Sequence, residues 1–352
     1  MSLMAIGRRH LRALILSVAA AAAGYLAFSL WGGWAQVGQA LAQVGWTGLA
    51  VLLALSLVNY GLRFVRWQLY LTALGHAQPW RASLRIYLAG FALTTTPGKA
   101  GEALRSLFLQ HRGMPVERSL AALISERLSD LVAVVLLCLI GLSQFPGLRL
   151  MVVVAVGLIV VVYVAIARAR PVVGQPGRPS AQFERSPSRL RSALARVQQL
   201  LASARPCHTP ALLLSTTALS LIAWAAEAWA FHLLLGVLGS NATLSFSVFV
   251  YAIAVLAGAL SFLPGGLGGT EATMMSLLLL AGHEQAVAVV ATVLIRLTTL
   301  WFAVAIGLIA LLRLMREPTS APATSTDESP EAANATASGA SSANAAPLGA
   351  HR

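Results

Sequence analysis

Two stretches decide how this chain must fold: LAGFALTTTPGKAGEA, from Leu88 to Ala103, and LAGALSFLPGGLGGTEA, from Leu256 to Ala272. In each, a run of small apolar residues is cut by Pro-Gly and resumes at a Gly followed by Glu. Proline removes a backbone hydrogen bond and glycine weakens a helix, so an unbroken helix is disfavoured at both places. Inside a membrane, broken backbone is tolerated only against protein or a wet cavity. The interrupted regions at 84–109 and 244–283 therefore predict two re-entrant broken-helix hairpins rather than through-going spans.

Around them lie uninterrupted apolar stretches of about 20 residues, enough to cross a bilayer. They fall at 13–33, 46–66, 118–142, 149–167, 210–236 and 286–312. Composition agrees: 57% of the 352 residues are hydrophobic, 11% are charged and the mean hydropathy is +0.75. A soluble domain carries about a quarter charged residues, so this chain lacks the polar surface to face water all round. The expected fold class is an all-α integral membrane protein: a polytopic helical bundle with two re-entrant hairpins and an inverted repeat.

The net charge of +13 is almost all arginine, Lys99 being the only lysine. The arginines cluster in short loops beside apolar spans, the positive-inside pattern, which points to anionic lipid rather than nucleic acid. Cys138 and Cys207 form no disulfide or metal framework. Arg8, Arg9 and Arg12 before Leu14–Leu30 mimic a secretory signal, but more membrane follows, so an uncleaved first span is expected.

Four regions follow: a membrane half at 1–167, a basic cytoplasmic linker at 168–209, a second membrane half at 210–316 and a disordered tail at 317–352. An amphipathic helix is expected from Ser188 to Ala204. The arginine-rich connections place both termini and the linker in the cytoplasm of a bacterial inner membrane. The connections near 34–45, 143–148 and 237–243 face outward.

The two interrupted stretches also share later landmarks. Glu102 and Glu271 are each followed 25 residues on by an arginine, Arg127 in RLSDL and Arg296 in RLTTL. Opposite entry sides would make the repeat inverted, the arrangement of secondary transporters whose sites lie where broken helices meet. Pro97-Gly98 and Pro264-Gly265, with Gly101 and Gly268, end one helical piece and start another. The new helix start offers free N–H groups and a positive dipole end, suited to phosphate or carboxylate. Lys99 and Arg105 add positive charge. The alternative is a pair of kinks in which Glu102 and Glu271 only complement the helix dipoles.

Glu126, Arg127 and Asp130 occupy one turn. Arg127 and Asp130 are i,i+3 neighbours, and Glu126 and Asp130 share a face. Ionisable groups within spans pair, line water or act. Arg127 and Arg296 are candidates to hold a phosphate in bidentate fashion, with a structural ion-pair network as the alternative. Glu271, Glu227 and Glu102 are candidate partners for Arg296. Arg63, Arg66 and Trp67, with Tyr60 and Tyr70, read as an interfacial belt at a span's end. Glu227, between Trp224 and Trp229, reads as a buried, paired acid. No phosphate loop, HExxH, Ser/His/Asp order or dinucleotide fingerprint is present, so no cofactor, metal or catalytic residue is assigned.

GLRFVRWQLYL (61–71), TTTPGKAGEALRSLFL (94–109), ISERLSDL (124–131) and PGGLGGTEA (264–272) resemble the flippase-like transmembrane region of lysylphosphatidylglycerol synthases, over roughly 10–315. The resemblance implies a membrane protein that moves lipids between leaflets. It highlights Pro97, Gly98, Gly101, Glu102, Arg105, Glu126, Arg127, Asp130, Pro264, Gly265, Gly268, Glu271 and Arg296. Those synthases carry a soluble aminoacyl-transferring domain after this region, whereas here a polar tail follows, so the synthase activity does not carry over. The expected function is a non-enzymatic flippase or transporter of an anionic or polyprenyl-linked lipid. Its partners would be membrane lipids and, in addition, enzymes of a lipid or glycolipid pathway. The rivals are an intramembrane lipid-modifying enzyme with Glu102 or Glu126 as acid or base, and a non-transporting scaffold of a glycolipid or hopanoid pathway.

Overall fold

Glycine and proline punctuate this chain into helices, and the computed structural model describes Gly24 and residues 34–96, 100–143, 145–169, 189–261 and 263–316. The expected span at 13–33, the Pro97-Gly98-Lys99 turn and the 317–352 tail lie outside those residues, Gly24 apart. Among the described residues there is no strand. The helices are α1 (Trp34–Ala73), α2 (Trp80–Ala89), α3 (Ala100–Gln110), α4 (Val116–Cys138), α5 (Arg149–Arg168) and α6 (Arg189–Ala204). They continue with α7 (Pro210–Val237), α8 (Leu244–Leu260), α9 (Gly269–Leu280), α10 (Gln285–Arg296) and α11 (Phe302–Arg316).

Four helical stretches are long and apolar enough to cross a membrane: Gln36–Ala73, Pro146–Arg168, Pro210–Val237 and Gln285–Arg316. They coincide with four of the expected spans. The stretch at 118–142 is helical too, as α4, but it carries five ionisable side chains along its length: Glu117, Arg118, Glu126, Arg127 and Asp130. α5 is apolar nearly all round, and only Val152, Ala155 and Ile166 are buried on it. Leu150, Val153 and Val161 stand 73%, 63% and 64% exposed, a surface suited to lipid tails rather than water.

Both interrupted stretches are broken helices. α2 tightens into a 3-10 turn at Gly90–Leu93 and the helix resumes at Ala100. Thr94 and Thr96 donate their hydroxyls to the carbonyls of Phe91 and Leu93, satisfying acceptors that the lost helix would have used. The second break runs through a 3-10 turn at Pro264–Gly266 between α8 and α9. Gly265, Gly266 and Gly268 have φ of 62°, 68° and 84°, a region where side chains other than glycine's are strained.

Two apolar cores flank these breaks. One joins α4, α5, α7, α8, α9, α10 and the start of α1 through residues such as Phe231, Phe249 and Ile253. The other joins the end of α1 to α2, α3 and α11 through Trp67, Tyr70, Tyr87 and Phe108. α1 packs along α7, so the segments on either side of the 168–209 stretch form a single packed unit that ends at Arg316. The second part of that stretch is the expected amphipathic helix, α6, which packs through Leu200, Leu201 and Ala204 against α4 and α5. Thr243 caps α8 by accepting from the Phe246 N–H.

Candidate functional site

Where α1, α4 and α7 cross, charged side chains meet inside the protein. α1 kinks at Gly45, where φ is 61°, and its second part runs on to Ala73, so Arg63 and Arg66 lie within the helix rather than at its end. The interfacial belt expected there is an interior cluster instead: Arg66 is 0% exposed, Trp67 and Tyr70 are each 1% and Tyr60 is 5%. A buried guanidinium needs an opposite charge, and α4 supplies it. Arg66 donates from Nη1 and Nη2 to the Asp130 carboxylate at 2.5 and 3.2 Å, and Arg63 donates from Nη2 at 3.2 Å. Trp224 of α7 adds an indole N–H bond to Asp130 at 3.0 Å, and its ring lies under the Arg63 guanidinium. Arg66 also reaches the Ser220 hydroxyl at 2.5 Å, and the Glu126 carboxylate stands 4.0 Å away.

Arg105 of α3, just after the first break, completes the cluster. It donates to Glu126 at 3.1 Å and stacks its guanidinium over Tyr87 at 4.4 Å and Trp67 at 5.1 Å. A side chain at Gly90 would meet it, since a Cβ there would fall 2.3 Å from Arg105 Nε. Among the described residues, three guanidiniums thus face two carboxylates, a positive excess of one. Arg127 lies within electrostatic reach of Asp130. The Nε–H groups of Arg63, Arg66 and Arg105 are buried and have no acceptor among the described residues. Such donors cost about 1–3 kcal/mol each when left unsatisfied.

The second break is held by its own pair. Arg296, at the end of α10, donates from Nε to Glu271 at 2.6 Å and from Nη2 to the Gly265 carbonyl at 2.8 Å. Glu271 accepts from the Gly268 N–H at 2.6 Å, reaching back to cap α9. Glu271, one of the three acids named for Arg296, is its partner. Its capping bond matches the dipole-complementing alternative, and Arg296 acts as a brace on Gly265. Past Arg296 the helix widens into a π turn at Leu297–Trp301, where the Thr299 carbonyl accepts from Tyr60 of α1. Such widened turns recur at functional sites.

The two breaks touch. A Cβ on Gly265 would lie 3.3 Å from Thr95 Cγ2, so the turn after α8 packs on the turn after α2. α11 closes over the first break so tightly that a Cβ at Gly307 would fall 2.2 Å from Ala92 N. Of the expected site residues, Arg105, Glu126 and Asp130 join the α1 cluster, and Gly265, Gly268, Glu271 and Arg296 form the second break, with Pro264 in its turn. Arg127 sits beside them on α4. Gly101 and Glu102 lie in the first turn of α3, and Pro97, Gly98 and Lys99 lie outside the described residues.

Sequence reasoning missed Arg63, Arg66 and Ser220. Arg63 and Arg66 were named only for an interfacial belt, because the helix face they share with Tyr60, Trp67 and Tyr70 fits an interface as well as an interior. Glu227 is buried as expected and accepts from Tyr251 at 2.5 Å. A separate cleft of about 490 Å³ opens between Gly75, Arg118, Gln199 and Ser203. Its one guanidinium, Arg118, is engaged by the Leu74 carbonyl and His76.

Residues 14–307 match the family model described as the lysylphosphatidylglycerol synthase TM region. The chain is also similar to a "UPF0104 membrane protein" of Methanothermobacter thermautotrophicus, with 24% identity over 303 residues, 81% of this chain and 88% of that protein. With its apolar helices and the length of that match, this multi-pass membrane protein belongs to the family of the lysylphosphatidylglycerol synthase transmembrane region.

Proposed function

We propose that the protein binds an anionic or polyprenyl-phosphate lipid headgroup at the arginine cluster and moves it between leaflets. The observation that carries this reading is the buried excess of positive charge, among the described residues, at Arg63, Arg66 and Arg105, with three guanidinium N–H groups that find no acceptor among those residues. Buried charge without a counter-ion is costly, and a phosphodiester supplies both the charge and the acceptors. The contact of the two helix breaks beside it supports a site at the meeting of broken helices, as in secondary transporters.

The inverted repeat belongs to the same proposal. On this reading both termini and the 168–209 region lie on the cytoplasmic face of a bacterial inner membrane, which the arginine-rich segments support. Accessibility labelling that placed Glu102 and Glu271 on the same face would remove the inversion.

The test is leaflet exchange of labelled phosphatidylglycerol and of a labelled polyprenyl phosphate in proteoliposomes. Wild-type protein should exchange at least one of them, Arg63→Gln, Arg105→Gln and Arg127→Ala should lose it, and Arg118→Gln should keep it. Folded wild-type protein that exchanges neither lipid, or cluster variants as active as wild type, would overturn the reading.

A further inference from the structure

One buried acid stands apart from the pairs described above. Glu227, midway along α7, is 5% exposed, and its hydrogen bond comes from the Tyr251 hydroxyl of α8. Among the described residues it makes no ion pair within 4.0 Å, although Arg63 and Tyr60 of α1, Asp130 of α4 and Arg296 of α10 all lie within electrostatic reach. On its own helix its polar neighbours are Trp224 and His232, and His232 is turned to Ser247. An ionisable group inside an apolar span pairs, lines water or acts, and this one has no paired cation of its own.

Charge counting gives it a task. With Glu227 ionised, its charge offsets the excess positive charge that, among the described residues, Arg63, Arg66 and Arg105 have over Glu126 and Asp130. With Glu227 carrying a proton, that excess is restored and an anion is needed to balance it. We propose that Glu227 is a proton-binding site coupled to the arginine cluster, so that a phosphodiester headgroup and a proton bind together. The proton comes from hydronium in the bulk solvent, whose O–H bond breaks to leave water as the carboxylate O–H bond forms, and no other bond changes. Linkage makes the coupling reciprocal: the anion favours protonation as much as the proton favours the anion. This inference rests on the anion-binding reading and adds the coupling ion to it.

The test is equilibrium binding of phosphatidylglycerol to the full chain in neutral detergent micelles across a pH series, with proton uptake read in weak buffer. Wild type should take up about one proton per lipid bound, and its affinity should fall toward tenfold per pH unit on the alkaline side. Glu227→Gln, which keeps the shape and the bond to Tyr251, should bind with a flat pH profile and no uptake. Tyr251→Phe should keep the slope and move its midpoint. A Glu227→Gln profile that follows wild type, an unmoved midpoint in Tyr251→Phe, or wild-type binding without proton uptake overturns the coupling and leaves the anion site standing. Wild type that binds neither phosphatidylglycerol nor polyprenyl phosphate overturns both.

Discussion

Replacing Asp130 by Asn probes the cluster most directly. The carboxylate accepts four bonds: 3.2 Å from Arg63, 2.5 and 3.2 Å from Arg66 and 3.0 Å from the Trp224 indole. Asn keeps the shape, loses the charge and turns one acceptor into an NH2 group facing a guanidinium. Arg66 is 0% exposed, so it gains no water in return. Removing one partner of a buried pair costs about 3–5 kcal/mol. The same change in an exposed pair costs about 0–1 kcal/mol. Burial selects the larger figure. Denaturant-induced unfolding of the purified protein in detergent measures it, with Glu117→Gln, at an exposed position in the first turn of α4, as a control that should lose less than about 1 kcal/mol. A double-mutant cycle with Arg66→Gln should return a coupling of about 0.5–3 kcal/mol. A loss under about 1 kcal/mol for Asp130→Asn would mean that water reaches the pair, and the charge argument for the site would fall with it.

Arg296→Ala removes both its bond to Glu271 and its bond to the Gly265 carbonyl, so the second break should loosen. The expected loss is about 3–5 kcal/mol, with faster proteolysis around Pro264–Gly268, whereas Glu271→Gln keeps a cap and should lose less. His208, between α6 and α7, is held below its ordinary value of 6.5 by burial, so the folded state favours the neutral ring. Below about pH 6.5 the unfolded chain binds more protons than the folded one, so stability should fall there and stay level above. His208→Gln should flatten that slope in a melting series. Cys207, buried next to it, has its thiol pushed up to about 12 by burial and should resist maleimide until the protein unfolds.

Much of the helical layout was legible because it depends on local chemistry. Pro264 with three glycines of positive φ can only break a helix, and four apolar stretches became helices of spanning length. The Glu271–Arg296 pair was within reach because two like-spaced landmarks pointed at it. The cluster on α1 was not. Arg63 and Arg66 sit near the end of an apolar run, where an interfacial role is the usual expectation. Their partner lies 64 and more residues away on α4. Nothing local tells a snorkelling arginine from a buried one. That depends on α1 continuing to Ala73 and on α7 covering it with Ser220 and Trp224.

The contact between Thr95 and Gly265 also constrains how such a chain can change over time. Each turn forms part of the wall of the other, and Gly265, with φ of 62° and no side chain, has nothing left to give up. The two halves are therefore not free to diverge independently at these positions. Across related chains, the position of Gly265 should stay glycine while the position of Thr95 should grow no larger than threonine, a constraint readable from sequences alone.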